Sequence, residues 1–396
     1  MRVSGLSWNS SGANIAVVHE MERHEDWCDH ESLINIWNIN RRDFDPSVPQ
    51  QQIRASNCIC IIEFHPKDPS LLVVGGFTGE VAVYNIAREN DSLLATSYGI
   101  TMSGHKEKIS SLSWISTSDL REQQMANLQN HIILSSALDG KIIIWKLDYN
   151  KQELIPTKGF RLVHDHFPRS LGVKTRSNTE VGITCLSVNN EDANVFILGT
   201  EPGAIFQGSL ASMSLITPTS RNDQFLELEN GGDWYDPVTS TFASHVGGRI
   251  IDIRFSPFHR DVFLSVGSDQ EIRVYTLLHP HAPIHVIHVE QTGISSIAWS
   301  FSRPLIIVAS GQNNRLYFHD LSKKDDKNAL EVKATEKTIP FPLTFVEFNG
   351  SNSSLVATGD GFGRVHILKL PSNLMSMDHN EIRLLNELSQ VPEEEN

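Results

Sequence analysis

The sequence has few cysteines and a deficit of basic residues. Its four cysteines are Cys28, Cys58, Cys60 and Cys185, and no two of them form a C-x-x-C pair. Cys58 and Cys60 lie on one face of a predicted strand, where a bond between them is not expected, so this usage favours a reducing compartment. Lysine and arginine number 33 against 47 acidic residues, which gives a net charge of −14. Binding to nucleic acid or to an anionic membrane needs the opposite balance.

Long apolar runs and catalytic signatures are also absent. No stretch approaches the roughly 20 apolar residues of a membrane span, and the opening residues 1–4 lack the apolar core of a signal peptide. The sequence contains no G-x-S-x-G, Walker-type loop or H-E-x-x-H. The glycine-rich stretch 359–363 lies at a predicted hairpin and is interpreted as a turn. We therefore expect a soluble intracellular protein with no catalytic residues, and not an enzyme.

Two segments contain metal-ligand residue types. Segment 24–31 is rich in histidine and acidic residues, but no second cluster stands at the spacing of a zinc site, which favours a solvated loop. A second group comprises His279, His281, His285 and His288. Residues 284–289 are predicted to form a strand, which would scatter these histidines. We therefore predict neither a metal site nor a cofactor site.

A short phrase recurs along the chain: a turn pair, alternating apolar residues, then an aromatic. The clearest copy is L-D-G-K-I-I-I-W at 138–145. Looser copies lie at 78–84, 269–275, 313–319 and 362–368. Two runs precede each copy. The first is apolar and ends near an aromatic, and the second is rich in β-forming residues and ends in small residues. Alternation with period two, together with Gly, Asp or Asn at the bends, predicts strands throughout.

Counted in this way the chain contains seven units, which predicts an all-β fold, a seven-bladed WD-repeat β-propeller. A pair of β-sandwiches would not repeat a three-strand phrase seven times. We expect the propeller at 1–371, with blades at about 1–54, 55–103, 104–165, 180–243, 245–288, 289–338 and 339–371. The positions predicted to define the blades are Trp37, Tyr84, Asp139, Gly140, Trp145, Asp269, Tyr275 and Trp299. Residues 372–396 are expected to form a tail with a short helix or a closing strand.

Two copies depart from the pattern, and three connections are long. The first copy is interrupted at 21–31, and the fourth has Gly208 where an aromatic is expected. The long connections are 116–130, 148–181 and 210–244. Long loops on a rigid scaffold often bind partners, but simple tolerance of insertions explains them equally well.

Six stretches of the sequence resemble dynein intermediate chains. The matching stretches are 3–12, 24–27, 36–44, 60–66, 74–81 and 196–205. The run through Arg41-Arg42-Asp43 is most similar to the branch of cytoplasmic dynein 2, the motor of intraflagellar transport. Residues 199–201 are similar to the aberrant fourth blade of the family. The resemblance extends from Val3 to about Leu370.

The resemblance implies a non-catalytic motor subunit. In that family the propeller binds the tail of a dynein heavy chain, so the expected partners are the dynein 2 heavy chain, a second intermediate chain and dynein light chains. The expected location is the cytoplasm and cytoskeleton, and the cilium with its axoneme and basal body. Family members bind light chains through an N-terminal extension. Because Met1 lies directly on the first predicted strand, either that segment is missing or this chain lacks direct light-chain binding.

Two alternatives stay open at this point. One is an axonemal dynein intermediate chain, and the other is a WD-repeat substrate adaptor of a ubiquitin ligase. Such adaptors commonly expose basic pockets, and Arg249, Arg273 and Arg364 lie close to predicted turns. The residues that would contact a heavy chain are unknown from the sequence, and the long loops after the third and fourth copies are the first candidates.

Overall fold

The chain folds almost entirely into antiparallel β-strands. The structure is a computed structural model. It describes residues 1–21, 31–88, 91–98, 104–116, 131–173, 181–216, 233–289, 292–323, 329–334, 341–377 and 380–390. Most of the predicted loop at 24–31, most of the connection at 116–130 and the end of the tail at 391–396 lie outside these ranges. None of the described helices is long and apolar enough to cross a membrane.

The first three sheets each use four consecutive strands in chain order. Strands β1 to β4 are Arg2–Trp8, Asn14–Glu20, Ser32–Asn38 and Gln51–Ala55. Strands β5 to β8 are Ile59–Phe64, Leu71–Gly76, Val81–Asn85 and Leu93–Thr96. Strands β9 to β12 are Ile109–Ser116, His131–Ala137, Lys141–Asp148 and Glu153–Arg161. A single pairing of Glu153 with Thr96 joins the outer strands of the second and third sheets.

One strand in the long connection of the fourth sheet pairs with the third sheet. Strands β13 to β15 are Ile183–Val188, Val195–Thr200 and Ile205–Ser209, and the outer strand β17 is Val238–Phe242. Between them, β16 at Trp234–Tyr235 pairs in parallel with β12 of the third sheet. Residues expected within the fourth blade therefore extend the edge of the third.

The last three sheets complete the series. Strands β18 to β21 are Ile250–Phe255, Val262–Gly267, Glu271–Thr276 and His285–His288. Strands β22 to β25 are Ile294–Trp299, Ile306–Gly311, Arg315–Asp320 and Leu330–Lys333. Strands β26 to β28 are Leu343–Phe348, Leu355–Asp360 and Val365–Lys369, so the seventh sheet has three strands within the described residues.

The innermost strands of the seven sheets form a closed ring. Each of β1, β5, β9, β13, β18, β22 and β26 contacts the next, and β26 contacts β1. Hydrogen bonds join the first and seventh sheets: Asn349 Nδ2 donates to Gly12 O at 2.8 Å, and Ser351 Oγ donates to Ser10 O at 2.7 Å. The chain is therefore a seven-bladed WD-repeat β-propeller, and the fold predicted from the repeats is confirmed.

Small residues near the end of several second strands allow neighbouring sheets to approach. A Cβ added to Gly199 would lie 2.5 Å from Ile250 of the next sheet. Gly359 meets Val3 in the same way, at 2.5 Å, across the closure of the ring. A side chain at either position would push a second strand away from the innermost strand of the next sheet, so glycine is needed for the packing between blades.

The tail after the seventh sheet returns to the fifth and sixth sheets as a helix. Helix α1 is Glu381–Ser389. Its Leu385 is 1% exposed and packs in the cluster that contains Trp299 and Leu305. Arg303 Nε donates to Glu381 Oε1 at 2.8 Å and holds the first turn of the helix. The helix thus covers an apolar surface between two blades and does not extend the seventh sheet.

Candidate functional site

The third sheet contains a buried polar network around the turn that follows its second strand. His105 Nδ1 lies 3.2 Å from Asp139 Oδ1, and His105 Nε2 lies 2.7 Å from Ser135 Oγ. Trp145 Nε1 donates to the same Ser135 oxygen at 2.7 Å. The four side chains join a connecting loop, the second strand, the turn and the third strand. This network holds the four segments together, because each of its buried polar groups has a hydrogen-bond partner.

Asp139 is the acceptor at the centre of this network. The backbone N–H groups of Lys106 and Lys141 donate to its carboxylate at 3.0 and 3.2 Å. Burial alone would raise the pKa of Asp139, but the hydrogen bond and charge of His105, with the Lys141 charge, outweigh it and lower the pKa to about 2. The carboxylate is therefore ionised at neutral pH, and Gly140, with φ of 72°, allows the tight turn beside it.

The fifth sheet repeats the network with different partners. His245 Nδ1 lies 2.9 Å from Asp269 Oδ1, and its Nε2 lies 2.7 Å from Ser265 Oγ. Tyr275 donates its hydroxyl to Ala243 O at 2.7 Å. Burial, followed by the charge of Arg273, lowers the pKa of His245. These hydrogen bonds join a loop, a second strand and a turn, as the network in the third sheet does.

One group in this region has the residue types of a metal site. Ligand atoms of His245, Asp269 and Glu271 lie within 4.8 Å of one another. Arg273 donates to Asp269 at 3.3 Å and to Glu271 at 2.7 Å. Its guanidinium supplies the positive charge between the two carboxylates, so we assign the group a structural role.

The structure brings part of the predicted blade positions together. Asp139, Gly140 and Trp145 share one network, and Asp269 and Tyr275 lie in its counterpart. Trp37 and Tyr84 lie on the third strands β3 and β7, and Trp299 lies on the innermost strand β22. The sequence interpretation missed His105, Ser135, His245 and Ser265. The Gly104-His105 dipeptide upstream of Asp139 was the available signal.

The fourth copy replaces its missing aromatic from an adjacent strand. A Cβ on Gly208 would overlap the ring of Phe196, which is fully buried. Phe196 and Gly208 lie opposite each other on paired strands. The ring of Phe196 therefore fills the space that the aromatic of the third strand fills in other copies.

The central channel carries charged side chains from three innermost strands. Glu63, Arg254 and Glu347 lie on β5, β18 and β26, each one residue before the aromatic that ends the strand. Burial raises the pKa of Glu63 to about 8 and that of Glu347 to about 7, and the Arg254 charge opposes both shifts. The Arg254 side chain is 44% exposed, so solvent screens these charges.

The predicted histidine group is spread over a loop and a strand. The rings of His279 and His281 lie 6.0 Å apart between their centroids, in the loop after β20. His285 and His288 lie on β21, and His288 Nδ1 is 3.3 Å from Glu271 Oε1. Among the described residues these histidines do not form a common metal-binding cluster.

Comparison with known proteins adds a second line of evidence. Residues 96–146, which include His105, Asp139 and Trp145, match the family described as WD domain, G-beta repeat. The chain is 30% identical to the cytoplasmic dynein 2 intermediate chain 2 of Mus musculus, over 98% of this chain and 69% of that protein. The corresponding protein of Homo sapiens is 30% identical over 96% of this chain and 68% of its own length.

The chain belongs to the dynein intermediate chain family. A ciliary dynein intermediate chain 2 of Heliocidaris crassispina is 24% identical over 83% of this chain and 42% of that protein. The resemblance read from residues 36–44 and 199–201 is therefore confirmed, and its cytoplasmic dynein 2 branch corresponds to the relatives at 30% identity.

Two of the three basic residues that suggested a ligase adaptor, Arg273 and Arg364, have partners within this intermediate chain. Arg273 pairs with Asp269 and Glu271. Arg364 Nε donates to Asp360 Oδ2 at 2.8 Å, and its guanidinium lies 4.8 Å from the ring centre of Phe341. Both side chains thus stabilise their own turns. Their contacts do not support the basic pocket that the adaptor hypothesis needs.

The connection predicted at 148–181 is shorter than expected, because strand β12 lies within it, and apolar side chains are exposed before β12 and after β15. Tyr149, in the turn between β11 and β12, is 51% exposed, and Met213 and Leu215 after β15 are 67% and 56% exposed. Met213 Sδ lies 3.8 Å from Nζ of Lys158, so the connection after β15 packs against β12. We call Met213 and Leu215, which are two residues apart in the connection after β15, the loop patch. Exposed apolar clusters of this kind are typical of protein-binding surfaces.

Proposed function

We propose that this chain is a non-catalytic intermediate chain of cytoplasmic dynein 2, and that its propeller binds the tail of the dynein 2 heavy chain. The observation that carries the proposal is the 30% identity over 98% of the chain to a cytoplasmic dynein 2 intermediate chain. Axonemal intermediate chains share 22% to 24% identity over shorter or similar stretches. As part of that motor the chain would serve retrograde intraflagellar transport and cilium assembly.

A non-catalytic role agrees with how the buried polar side chains are used. The hydrogen-bond networks around Asp139 and Asp269 each lie within one blade. Their histidine and aspartate side chains form hydrogen bonds with other groups of the protein. The described cysteines Cys58, Cys60 and Cys185 are buried, and burial raises the pKa of Cys185 to about 12. Such thiols are poor nucleophiles. These features support a binding scaffold.

The loop patch is our candidate for the heavy-chain contact. It combines exposed apolar side chains with a rigid support, because β16 pairs with β12 and the Leu210 carbonyl accepts from Lys158 Nζ at 2.8 Å. A surface that is already ordered binds with a smaller entropic cost. We also propose a second intermediate chain and the dynein light chains as partners. The proposed locations of the chain are the cytoplasm, the cytoskeleton, the axoneme and the basal body.

The test is a pull-down of purified chain with the tail of the ciliary retrograde heavy chain and, separately, with an outer-arm tail. We expect retention of the retrograde tail only. The double substitution Met213→Glu with Leu215→Glu should reduce retention at least about tenfold, since it places charge in an apolar contact. Phe301→Glu is the matched control, because Phe301 is 49% exposed in the connection between β22 and β23.

Retention of the outer-arm tail in place of the retrograde tail would reject the dynein 2 assignment and favour an axonemal intermediate chain. That second candidate is supported by the 24% identity to a flagellar outer-arm intermediate chain of Chlamydomonas reinhardtii. A beating defect with normal return of transport trains would then be expected in cells lacking the chain. Equal loss of binding in the Phe301 control would reject the loop patch as the contact.

A further inference from the structure

The loop between strands β17 and β18 is held at both of its ends. The His245 side chain is 0% exposed, and the backbone N–H of this residue donates to Gly203 O, in the turn of the fourth sheet, at 3.0 Å. At the other end Ser268 N, in the turn of the fifth sheet, donates to Arg249 O at 2.9 Å. The segment between these two anchors is therefore ordered by the turns of two neighbouring sheets. We call residues 246–249 the apical loop.

The carbonyl groups of this segment face the protein. A Cβ added to Gly203 would lie 2.3 Å from His245 O and 2.4 Å from Gly248 O, so both carbonyls lie against the fourth sheet. The C=O and N–H groups of a trans peptide point in opposite directions, so the N–H groups of Val246 and Arg249 are directed away from that sheet. None of the four N–H groups at 246–249 has a hydrogen-bond acceptor within the described residues. The apical loop therefore offers free backbone donors at its surface.

Two side chains of the apical loop are exposed beside these donors. Val246 is 72% exposed, and a Cβ added to Gly247 would meet no atom within 4 Å, so the space next to the loop is open. Arg249 is exposed and forms no ion pair with any described residue. The carboxylate of Glu201, in the neighbouring turn, lies 3.0 Å from where a Cβ on Gly182 would stand and does not reach the guanidinium. The loop thus combines an apolar side chain with an unpaired cation.

Free N–H groups beside a guanidinium match a carboxylate, which accepts charge-assisted hydrogen bonds from both. Asp269 lies next to the loop, since its backbone N would be 3.4 Å from a Cβ on Gly248. The Asp269 carboxylate is already held by His245 and Arg273. A phosphate carries a second negative charge that would be repelled by Asp269, so a singly charged carboxylate fits the loop better.

We infer that the apical loop binds an aspartate or glutamate side chain in an acidic segment of another polypeptide. Arg249 pairs with that carboxylate, the N–H groups of the loop donate to it, and an aliphatic neighbour in the segment covers Val246. The apical loop contacts the turn before β15, whereas the loop patch follows β15, so the two surfaces lie at opposite ends of that strand. The inference is therefore independent of heavy-chain binding by the loop patch.

The test uses a fluorescein-labelled peptide of sequence G-S-V-E-V-E-V-S-G, which alternates acidic and aliphatic residues. The peptide is titrated with the full chain at low ionic strength and followed by fluorescence anisotropy. We expect saturable binding that Arg249→Glu weakens at least about tenfold, because the change replaces the cation with a repelling charge. Arg42→Glu is the matched control, since Arg42 is exposed after β3 and also has no ion-pair partner within the described residues. That variant should bind as the unaltered chain does.

Two further measurements test the apolar contact and the backbone donors. Val246→Asp should weaken binding several-fold, because it places a negative charge where the aliphatic neighbour packs. Hydrogen exchange of the amides at 246–249, followed by mass spectrometry, should slow when the peptide is bound. A peptide with glutamine in place of both glutamates should show no saturable binding.

Four outcomes would overturn the inference. The first two are absence of saturable binding and equal binding by the Arg249→Glu chain. Equal weakening by Arg42→Glu would mean that the peptide is attracted by charge in general and not by the apical loop. Tighter binding of a peptide with phosphoserine at the glutamate positions would assign the loop to a phosphorylated partner and not to a carboxylate.

Discussion

A buried carboxylate at a turn organises several donors at once, which a neutral side chain cannot do. Asp139 accepts from the His105 ring and from the N–H groups of Lys106 and Lys141. Charge-assisted hydrogen bonds in a water-excluded site are stronger than neutral ones. The order of the turn therefore depends more on Asp139 than on the aromatic Trp145, whose single polar group bonds only Ser135.

We predict that Asp139→Asn lowers the free energy of unfolding by about 2–3 kcal/mol, because an amide leaves one buried donor without an acceptor. Chemical denaturation followed by tryptophan fluorescence measures the change. Asp91→Asn, at an exposed position, is the control and should change stability by less than about 0.5 kcal/mol. Because the folded pKa of Asp139 is lowered, its contribution is present above about pH 4 and is lost as pH falls towards 2. Equal stability of the two variants would contradict the assigned role.

The sequence predicts the local part of each blade better than the long-range part. Asp139 and Gly140 stand in one tight turn, so the dipeptide itself indicates their role. His105 and Ser135 enter the same network from a loop and from another strand, and nothing in their local sequence pairs them. Gly208 is a similar case, because the ring that replaces its aromatic comes from Phe196 across a strand pair. Contacts of this kind depend on how paired strands are aligned with each other, and this alignment cannot be read from a single sequence.

At the scale of elements, the tail shows how tertiary packing decides between two local structures. Residues 381–388 could have formed either a helix or a closing strand. The structure has helix α1, whose Leu385 lies in the apolar cluster of the fifth and sixth sheets. Leu384 and Leu388 pack beside it. A helix places these three leucines on one side, whereas a strand would direct Leu384 and Leu385 to opposite faces.

We predict that Leu385→Ala lowers the free energy of unfolding by about 2–4 kcal/mol, because it opens a cavity beside Trp299. Ile382→Ala, on the exposed side of the same helix, should cost less than about 0.5 kcal/mol. Thermal denaturation of both variants measures the difference. Equal melting temperatures would mean that helix α1 does not stabilise the propeller.

At the scale of the whole molecule, closure of the ring places like charges near each other. Glu63 and Glu347 come from blades on either side of the first, and Arg254 is the cation whose charge acts on both. Seven blades arranged around one axis leave these side chains in the channel and not in bulk water. No pattern within one repeat predicts this, because the three residues meet only when the ring closes.

We predict that this channel makes the propeller less stable as the pH rises from about 4 to about 8. The folded pKa values of Glu63 and Glu347 are raised to about 8 and about 7, whereas an unfolded glutamate has a pKa of about 4.3. A raised folded pKa means that their favourable contribution is complete below about pH 4 and is lost as the pH passes through 7 to 8. Solvent screens the charges, so we expect a fall in melting temperature of the order of a few degrees.

The variant Glu63→Gln with Glu347→Gln removes both titrating groups and should flatten this pH dependence. Glu331→Gln, which alters an outer-strand glutamate exposed to solvent, is the control and should leave the slope unchanged. Calorimetric melting temperatures at several pH values distinguish the two. If the double variant keeps the full slope, the titration belongs to other groups, and the channel glutamates are already ionised at neutral pH through their interaction with Arg254.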